Sequence, residues 1–253
     1  MTVENSTTGA AIVVEGVSKR FRLYKERNST LKSALMRRRR AVFEEFWAVR
    51  DVSFEVPRGS TFGIIGRNGS GKSTLLKMLA RILHPDGGSI VMNGRSAALL
   101  EVGSGFHPEL SGRENVYLNG SILGMSRREV EARFDEIVDF AGVRTFIDQP
   151  VKNYSSGMYV RLGFAVAVNV RPDILVVDEV LAVGDAAFKA KSAAKFKEFM
   201  ADGRTIVLVS HSMGQVKDLC DTVAWLDAGR VRQVGPAAEV VAAYEQAVKE
   251  SGD

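Results

Sequence analysis

The run Gly66-Arg67-Asn68-Gly69-Ser70-Gly71-Lys72-Ser73, followed by Thr74, constrains this chain more than any other stretch. It fits the pattern G-x-x-x-x-G-K-[ST] at every fixed position. Glycines let successive backbone N–H groups turn inward and form an anion cradle. Lys72 is placed to reach the β- and γ-phosphates of a nucleotide, and the Ser73 hydroxyl to ligate Mg²⁺. Thr61-Phe62-Gly63-Ile64-Ile65 reads as a buried strand ahead of the loop. Leu75, Met78, Leu79 and Ile82 follow at helical spacing. A strand–loop–helix unit aims the positive end of a helix at the phosphates. The sequence therefore predicts an α/β scaffold that binds a nucleoside triphosphate.

The chain has 253 residues, enough for one large domain or two tightly joined lobes. No apolar run approaches the roughly 18 residues of a membrane-spanning helix. Met1 to Ala11 lacks the charged-then-apolar layout of a signal peptide, so a cytosolic location is expected. The one cysteine, Cys220, excludes an internal disulfide and suits a reducing compartment. It lies in the apolar stripe Val216, Leu219, Cys220 and reads as a buried structural thiol. Net charge is +4, yet Lys19 to Arg40 alone carries +9 and the rest −5. Basicity confined to one segment points to a local anionic neighbour such as lipid headgroups, and away from a nucleic-acid-binding protein.

Along the chain, Ile12-Val13-Val14 opens a first strand. Residues 22–46 interrupt the β pattern. There Leu31, Leu35, Met36, Val42, Phe43 and Phe46 mix with Arg37 to Arg40, which predicts a short basic amphipathic helix with its apolar side chains inward. Its basic face is either solvated or turned to a membrane or partner. Trp47-Ala48-Val49 and Val52 to Val56 read as two half-buried strands. Ser89 to Met92 is another. Gly103 to Val168 is mainly helical. Within it Ser126-Arg127-Arg128-Glu129 is a capping box, and Val130, Phe134, Ile137, Val138 and Ala141 share one face before Gly142 stops the helix. Ile174 to Val177 and Thr205 to Ser210 are apolar runs without alternation, which fits a parallel sheet covered on both faces. Late strands surround Asp227 to Arg230, and Glu239 to Val248 is a terminal helix.

The chemistry gathers at strand ends. Asp178 follows Ile174–Val177 and is placed to hold Mg²⁺, usually through a water; Glu179 would then polarise an attacking water at the γ-phosphate. His211 directly follows a second strand, where an imidazole can hydrogen-bond the γ-phosphate. Tyr154-Ser155-Ser156-Gly157-Met158 precedes an apolar helix and makes a second small-residue helix N-terminus.

Taken in order, Gly66–Ser73, Tyr154–Met158, Asp178-Glu179, Gly184-Asp185 and His211 resemble the Walker A loop, signature, Walker B strand with catalytic glutamate, D-loop and switch histidine of ATP-binding cassette (ABC) transporter ATPases. The resemblance covers about residues 10–245. It implies a P-loop NTPase (RecA-like) α/β core, 10–102 and 171–235, with an antiparallel β subdomain. A helical subdomain would be inserted at 103–170, with a C-terminal helix and tail at 236–253. It implies a head-to-tail dimer, with ATP held between one copy's Walker A loop and the other's Ser155, Gly157 and D-loop Asp185. An aromatic, Phe21 by position or else Tyr24, would stack on adenine.

Departures narrow the branch. Tyr154, Ser156 and Met158 replace Leu, Gly and Gln of the usual signature; Val180 replaces the proline after the catalytic glutamate. Glu101 lies nearest the place of the missing Q-loop glutamine. Tyr-Ser-Ser-Gly-Met, Asp-Glu-Val-Leu-Ala-Val-Gly-Asp and Gly-Phe-His-Pro-Glu-Leu-Ser-Gly-Arg-Glu-Asn together resemble ATPase subunits that export O-antigen, teichoic acid and other lipid-linked polysaccharides. That resemblance implies an ATPase on the cytoplasmic face of the cell membrane, two copies under two polytopic membrane subunits, with Gly103–Asn115 as the coupling surface and 22–46 near the membrane. Some members carry a further carbohydrate-binding domain; here none is expected before Asp253. An importer, another exporter or a soluble ABC ATPase remains the alternative.

Overall fold

The computed structural model describes residues 9–24, 43–99, 105–178 and 185–251. Among these residues the strands are β1 (Ala10–Tyr24), β2 (Phe43–Pro57), β3 (Thr61–Ile65), β4 (Gly87–Met92), β5 (Ser96–Ala98), β6 (Ile174–Val177), β7 (Thr205–Val209), β8 (Thr222–Asp227) and β9 (Arg230–Pro236). The helices are α1 (Lys72–Leu79), α2 (Gly112–Ile122), α3 (Arg127–Ala141), α4 (Ser156–Asn169), α5 (Ala186–Ala201), α6 (Met213–Leu219) and α7 (Ala237–Glu250).

The apolar runs form a six-stranded sheet in the order β5-β6-β7-β3-β8-β9. Every residue of β3, β6 and β7 is buried, as strands covered on both faces require. These three run parallel, so their C-terminal ends meet at one edge. Only β9 is antiparallel, folded back on β8. A second sheet, β2-β1-β4, is antiparallel throughout. Its inner face alternates through Val52, Phe54 and Val56 and packs on the large sheet, where the Phe54 ring stacks on Phe62 at 5.1 Å. The two half-strands expected at 47–56 are one strand, bent at Asp51 (φ 53°). Opposite the bend, Gly16 (φ 57°) donates its N–H to Ser53 Oγ at 2.8 Å.

The break expected at 22–46 is narrower. β1 continues to Tyr24 and β2 begins at Phe43; the helix expected between them lies outside the described residues, as do Leu31 to Arg40 and Val42. β4 pairs with β1 only as far as Ser18, so Arg20–Tyr24 and Phe43–Trp47 form a two-stranded arm beyond the sheet. Phe43 and Phe46 are exposed on it, not packed inward. The arm is held by contacts that hydrophobic spacing does not disclose. Arg22 lies 4.7 Å from the Phe43 ring and Arg20 5.7 Å from Trp47, while Arg20 pairs with Glu45 at 3.0 Å. Exposed cation–π contacts contribute about 0.5–1 kcal/mol each.

The helical lobe, α2 to α4, starts each of its first two helices with a reciprocal cap. Ser126 and Glu129 form the expected box, and Ser111 and Glu114 a second one. Gly142 ends α3 in the left-handed conformation. Val130, Ile137, Val138 and Ala141 are buried, and Phe134 stacks on Tyr117 at 5.8 Å. This core is continuous with one side of the large sheet, through the rings of Phe140, Phe164 and Phe188. α5, whose Phe188, Ser192, Phe196 and Phe199 are its buried stripe, joins lobe to sheet. No helix among the described residues is long and apolar enough to cross a membrane.

Candidate functional site

The loop after β3 takes its shape from two glycines. Gly66 has φ 149°, and a Cβ there would collide with the carbonyl oxygen of Leu226 and lie 2.6 Å from Ser70 Oγ. Gly71, φ 101°, precedes α1; a Cβ there would strike the carbonyl of Ala48. No side chain fits at either position, so the loop closes against β8 and β2. Ser70 fastens it: its N–H donates to Arg67 O at 3.1 Å, and its carbonyl accepts from Gly229 N–H at 3.0 Å. Ser70 Oγ is buried with no partner among the described residues.

Lys72 is 6% exposed and donates to the carbonyls of Gly66 at 2.7 Å and Arg67 at 2.9 Å. The loop thus holds a buried cation folded back over its own backbone. Phosphate oxygens would give this ammonium an anionic acceptor in place of neutral carbonyls.

A cleft of about 290 Å³ opens above the loop. Asn68, Gly69, Gly71, Lys72, Ser73 and Thr74 form its floor. Asp178, at the end of β6, and His211, just past β7, line the opposite wall. The turn carrying His211 is pinned on both sides. Ser212 N–H donates to Ser210 Oγ at 3.1 Å, and Ser212 Oγ caps α6. The parallel sheet is what brings these residues, more than a hundred positions apart in sequence, to one edge. A hydroxyl from Ser73 and a carboxylate from Asp178 in one cleft are hard oxygen donors suited to Mg²⁺, with the remaining ligands left to phosphate and water. The residues present fit a magnesium nucleotide. Glu179, Val180, Gly184, Glu101 and Gly103 lie outside the described residues.

Among the described residues, the aromatic lining the cleft is Phe46. Phe21 is its cross-strand partner in the arm and does not line the cleft; Tyr24 pairs with Phe43, further out. Directly opposed residues of an antiparallel pair project from the same face, so Phe21 and Phe46 stand side by side. Spacing within one strand could not disclose this, because the register pairs residues of two different strands.

Ser155, Gly157 and Asp185 do not line this cleft. Ser155 is exposed and caps α4, accepting from Met158 N–H at 3.2 Å. Among the described residues a Cβ on Gly157 would meet only Ser155 Oγ, at 3.9 Å. Asp185 caps α5 through Phe188 N–H at 2.8 Å and lies 3.8 Å from Arg161 of α4. This pair links α4 to the start of α5. A second cleft, about 460 Å³, lies between α2 and α3 and is lined by Arg113, Glu114, Tyr117, Met125 and Arg127 among others.

Residues 49–182 match the family model described as ABC transporter. The chain belongs to the ABC transporter family. The cassette is 51% identical over 245 residues to an O-antigen export system ATP-binding protein, RfbB, of Myxococcus xanthus, covering 94% of this chain and 56% of that protein's length. It is 44% identical to the RfbB protein of Klebsiella pneumoniae, covering 92% and 96%. It is 44% identical to a teichoic acids export ATP-binding protein, TagH, of Listeria innocua, covering 94% and 70%. The fold matches a solved ATP-binding subunit of an ABC transporter, with TM-score 0.72, 22% identity and 93% coverage of both chains. It also matches a dimeric ATP-binding cassette bound to ADP and phosphate, with TM-score 0.69, 20% identity and coverage of 89% and 98%.

Proposed function

We propose that this cassette is the ATP-hydrolysing subunit of an exporter that moves a lipid-linked polysaccharide across the cytoplasmic membrane. The observation that carries the reading is the division of the site. Lys72, Ser73, Asp178 and His211 converge on one cleft, while Ser155, exposed at the start of α4, and Gly157 stand outside its lining. A second copy, head to tail, would bring its signature over that cleft. The polysaccharide assignment is supported by relatives named for O-antigen and teichoic acid export that align over more than nine-tenths of this chain.

In this mechanism Lys72 leaves the Gly66 and Arg67 carbonyls for the β- and γ-phosphates. Ser73 and Asp178 would hold a magnesium ion, whose charge would offset that of the phosphates. Phe46, with Phe21 beside it, packs on the adenine. Glu179 orients the attacking water, and His211 hydrogen-bonds the γ-phosphate. Ser155 and Gly157 of the second copy close the site, and Asp185 borders it. Loss of phosphate releases the pair, and that opening and closing works on two membrane subunits. Residues 103–115 and the cleft between α2 and α3 form the surface for those subunits, at the cytoplasmic face of the membrane.

Glu179→Gln tests the assignment. The amide keeps the shape and loses the basicity, so ATP binding persists, turnover falls by orders of magnitude and an ATP-bound pair accumulates in sedimentation. Hydrolysis near the parent rate would remove Glu179 from the mechanism.

A further inference from the structure

The approach to the signature contains a small antiparallel clasp. Residues 108–113, leading into α2, pair with 147–152, leading toward α4. Gly112 N–H donates to Gln149 O at 3.1 Å and Arg113 N–H to Ile147 O at 2.8 Å. In return, Val151 N–H donates to Leu110 O and Lys152 N–H to Pro108 O, each at 3.0 Å. Ion pairs bind its outer side, Arg113 with Asp148 at 2.7 Å and Lys152 with Glu109 at 2.6 Å. Asn115, fully buried, donates to the carbonyls of His107, Leu110 and Ser111 from behind.

Tyr154 closes this clasp. Its hydroxyl donates to Phe146 O at 2.8 Å. A methyl group built on Gly112 would coincide with that hydroxyl and press on Ile147 O, at 3.0 Å. Gly112 has no unusual φ, so the absence of a side chain there serves the approach of Tyr154 and Ile147 and not backbone conformation. Burial pushes the phenol up to about 12, so it stays a hydrogen-bond donor at neutral pH. The residue after Tyr154 is Ser155, the cap of α4. A leucine, the usual residue at this place in the family, could pack here but could not bond Phe146.

We propose that Tyr154 and Gly112 are a matched pair that positions the signature: the hydroxyl, seated against Gly112, fixes Ser155 and Gly157 to the clasp at the start of α2. Tyr154 is a positioning residue and touches no nucleotide. The proposal rests on the reading that Ser155 and Gly157 close a second copy's site.

The test uses the Glu179→Gln chain as parent and follows ATP-driven pairing by sedimentation, with ATP affinity and melting temperature measured alongside. Tyr154→Phe keeps the ring and removes one hydrogen bond. It should raise the ATP concentration needed for pairing about three- to tenfold, the range one such bond is worth, while affinity of the single cassette stays near the parent's and the melting temperature falls by no more than a few degrees. Gly112→Ala should also impair pairing, although alanine is the better helix former. Adding Tyr154→Phe to Gly112→Ala should recover part of that loss, since the colliding hydroxyl is gone. Parent-like pairing by Tyr154→Phe, or no recovery in the double variant, would overturn the matched pair. Parallel loss of pairing, affinity and melting temperature would make the contact structural only. A parent that never pairs with ATP would fail the two-copy reading first, and the proposal with it.

Discussion

Phe46 should carry most of the recognition of the nucleotide base. It is 46% exposed on the arm, and its ring belongs to neither buried core. Truncating it to alanine therefore removes little packing, and the stability change should stay within about 0.5 kcal/mol, as for ordinary surface substitutions. Binding is another matter. Stacking of a base on an aromatic ring is worth about 1–3 kcal/mol by alanine substitution, which is about a 5- to 150-fold loss of affinity. Phe46→Ala should show that loss for ATP in calorimetric titration, and a much smaller loss for inorganic triphosphate, which has no base. Phe21→Ala, one strand away and outside the cleft lining, should lose less. Unchanged ATP affinity in Phe46→Ala, with a large loss in Phe21→Ala, would refute the assignment and return the stacking role to Phe21.

Three further outcomes follow from particular contacts. Lys72→Ala removes charge-assisted bonds worth about 1.5–3 kcal/mol each, so ATP affinity should fall at least tenfold; titration that shows parent affinity would mean the loop has another role. Burial pushes the Cys220 thiol up to about 12, against an ordinary value near 9. Its folded form therefore holds the proton more tightly, so its contribution to stability is complete below about pH 9 and drains away between about 9 and 12. At pH 8 the folded chain should resist maleimide and the unfolded chain react; rapid labelling of folded protein would contradict the burial. Replacing residues 26–41 by a short turn should preserve ATP binding, since β1 ends at Tyr24 and β2 begins at Phe43, and should abolish export of a lipid-linked polymer from cells. Normal export would reduce that segment to a solvated loop.

The phosphate loop was legible because its spacing is a backbone requirement: the contacts at Gly66 and Gly71 admit no side chain. The Ser126 cap and the Val130 stripe were legible for the same local reason, as was the buried Cys220. Ser111–Glu114 carries the same cap signature. Phe188, Ser192, Phe196 and Phe199 recur at helical spacing and mark α5 equally well. Other features exist only in three dimensions. β5 is three residues at a sheet edge, too short for any periodicity. The arm is held by Arg20 and Arg22 across the faces of Trp47 and Phe43, in a register that no single strand specifies. The choice of Phe46 depends on that register. The clasp, too, exists only in three dimensions: Tyr154 and Gly112 meet although they stand far apart in sequence.

Complementation tests the division of the site between two copies most directly. One variant is Lys72→Ala, which disables the phosphate loop. The other is Gly157→Asp, which puts a carboxylate where the partner's phosphates would lie; among the described residues a Cβ at Gly157 meets nothing closer than 3.9 Å, and an unchanged melting temperature would verify the fold. Each alone should hydrolyse ATP at a small fraction of the parent rate. In a head-to-tail pair of the two, one site carries both defects and the other carries none. An equimolar mixture should therefore hydrolyse ATP well above the sum of the separate variants. A rate equal to that sum, from a mixture shown to form mixed pairs, would contradict a site shared between copies.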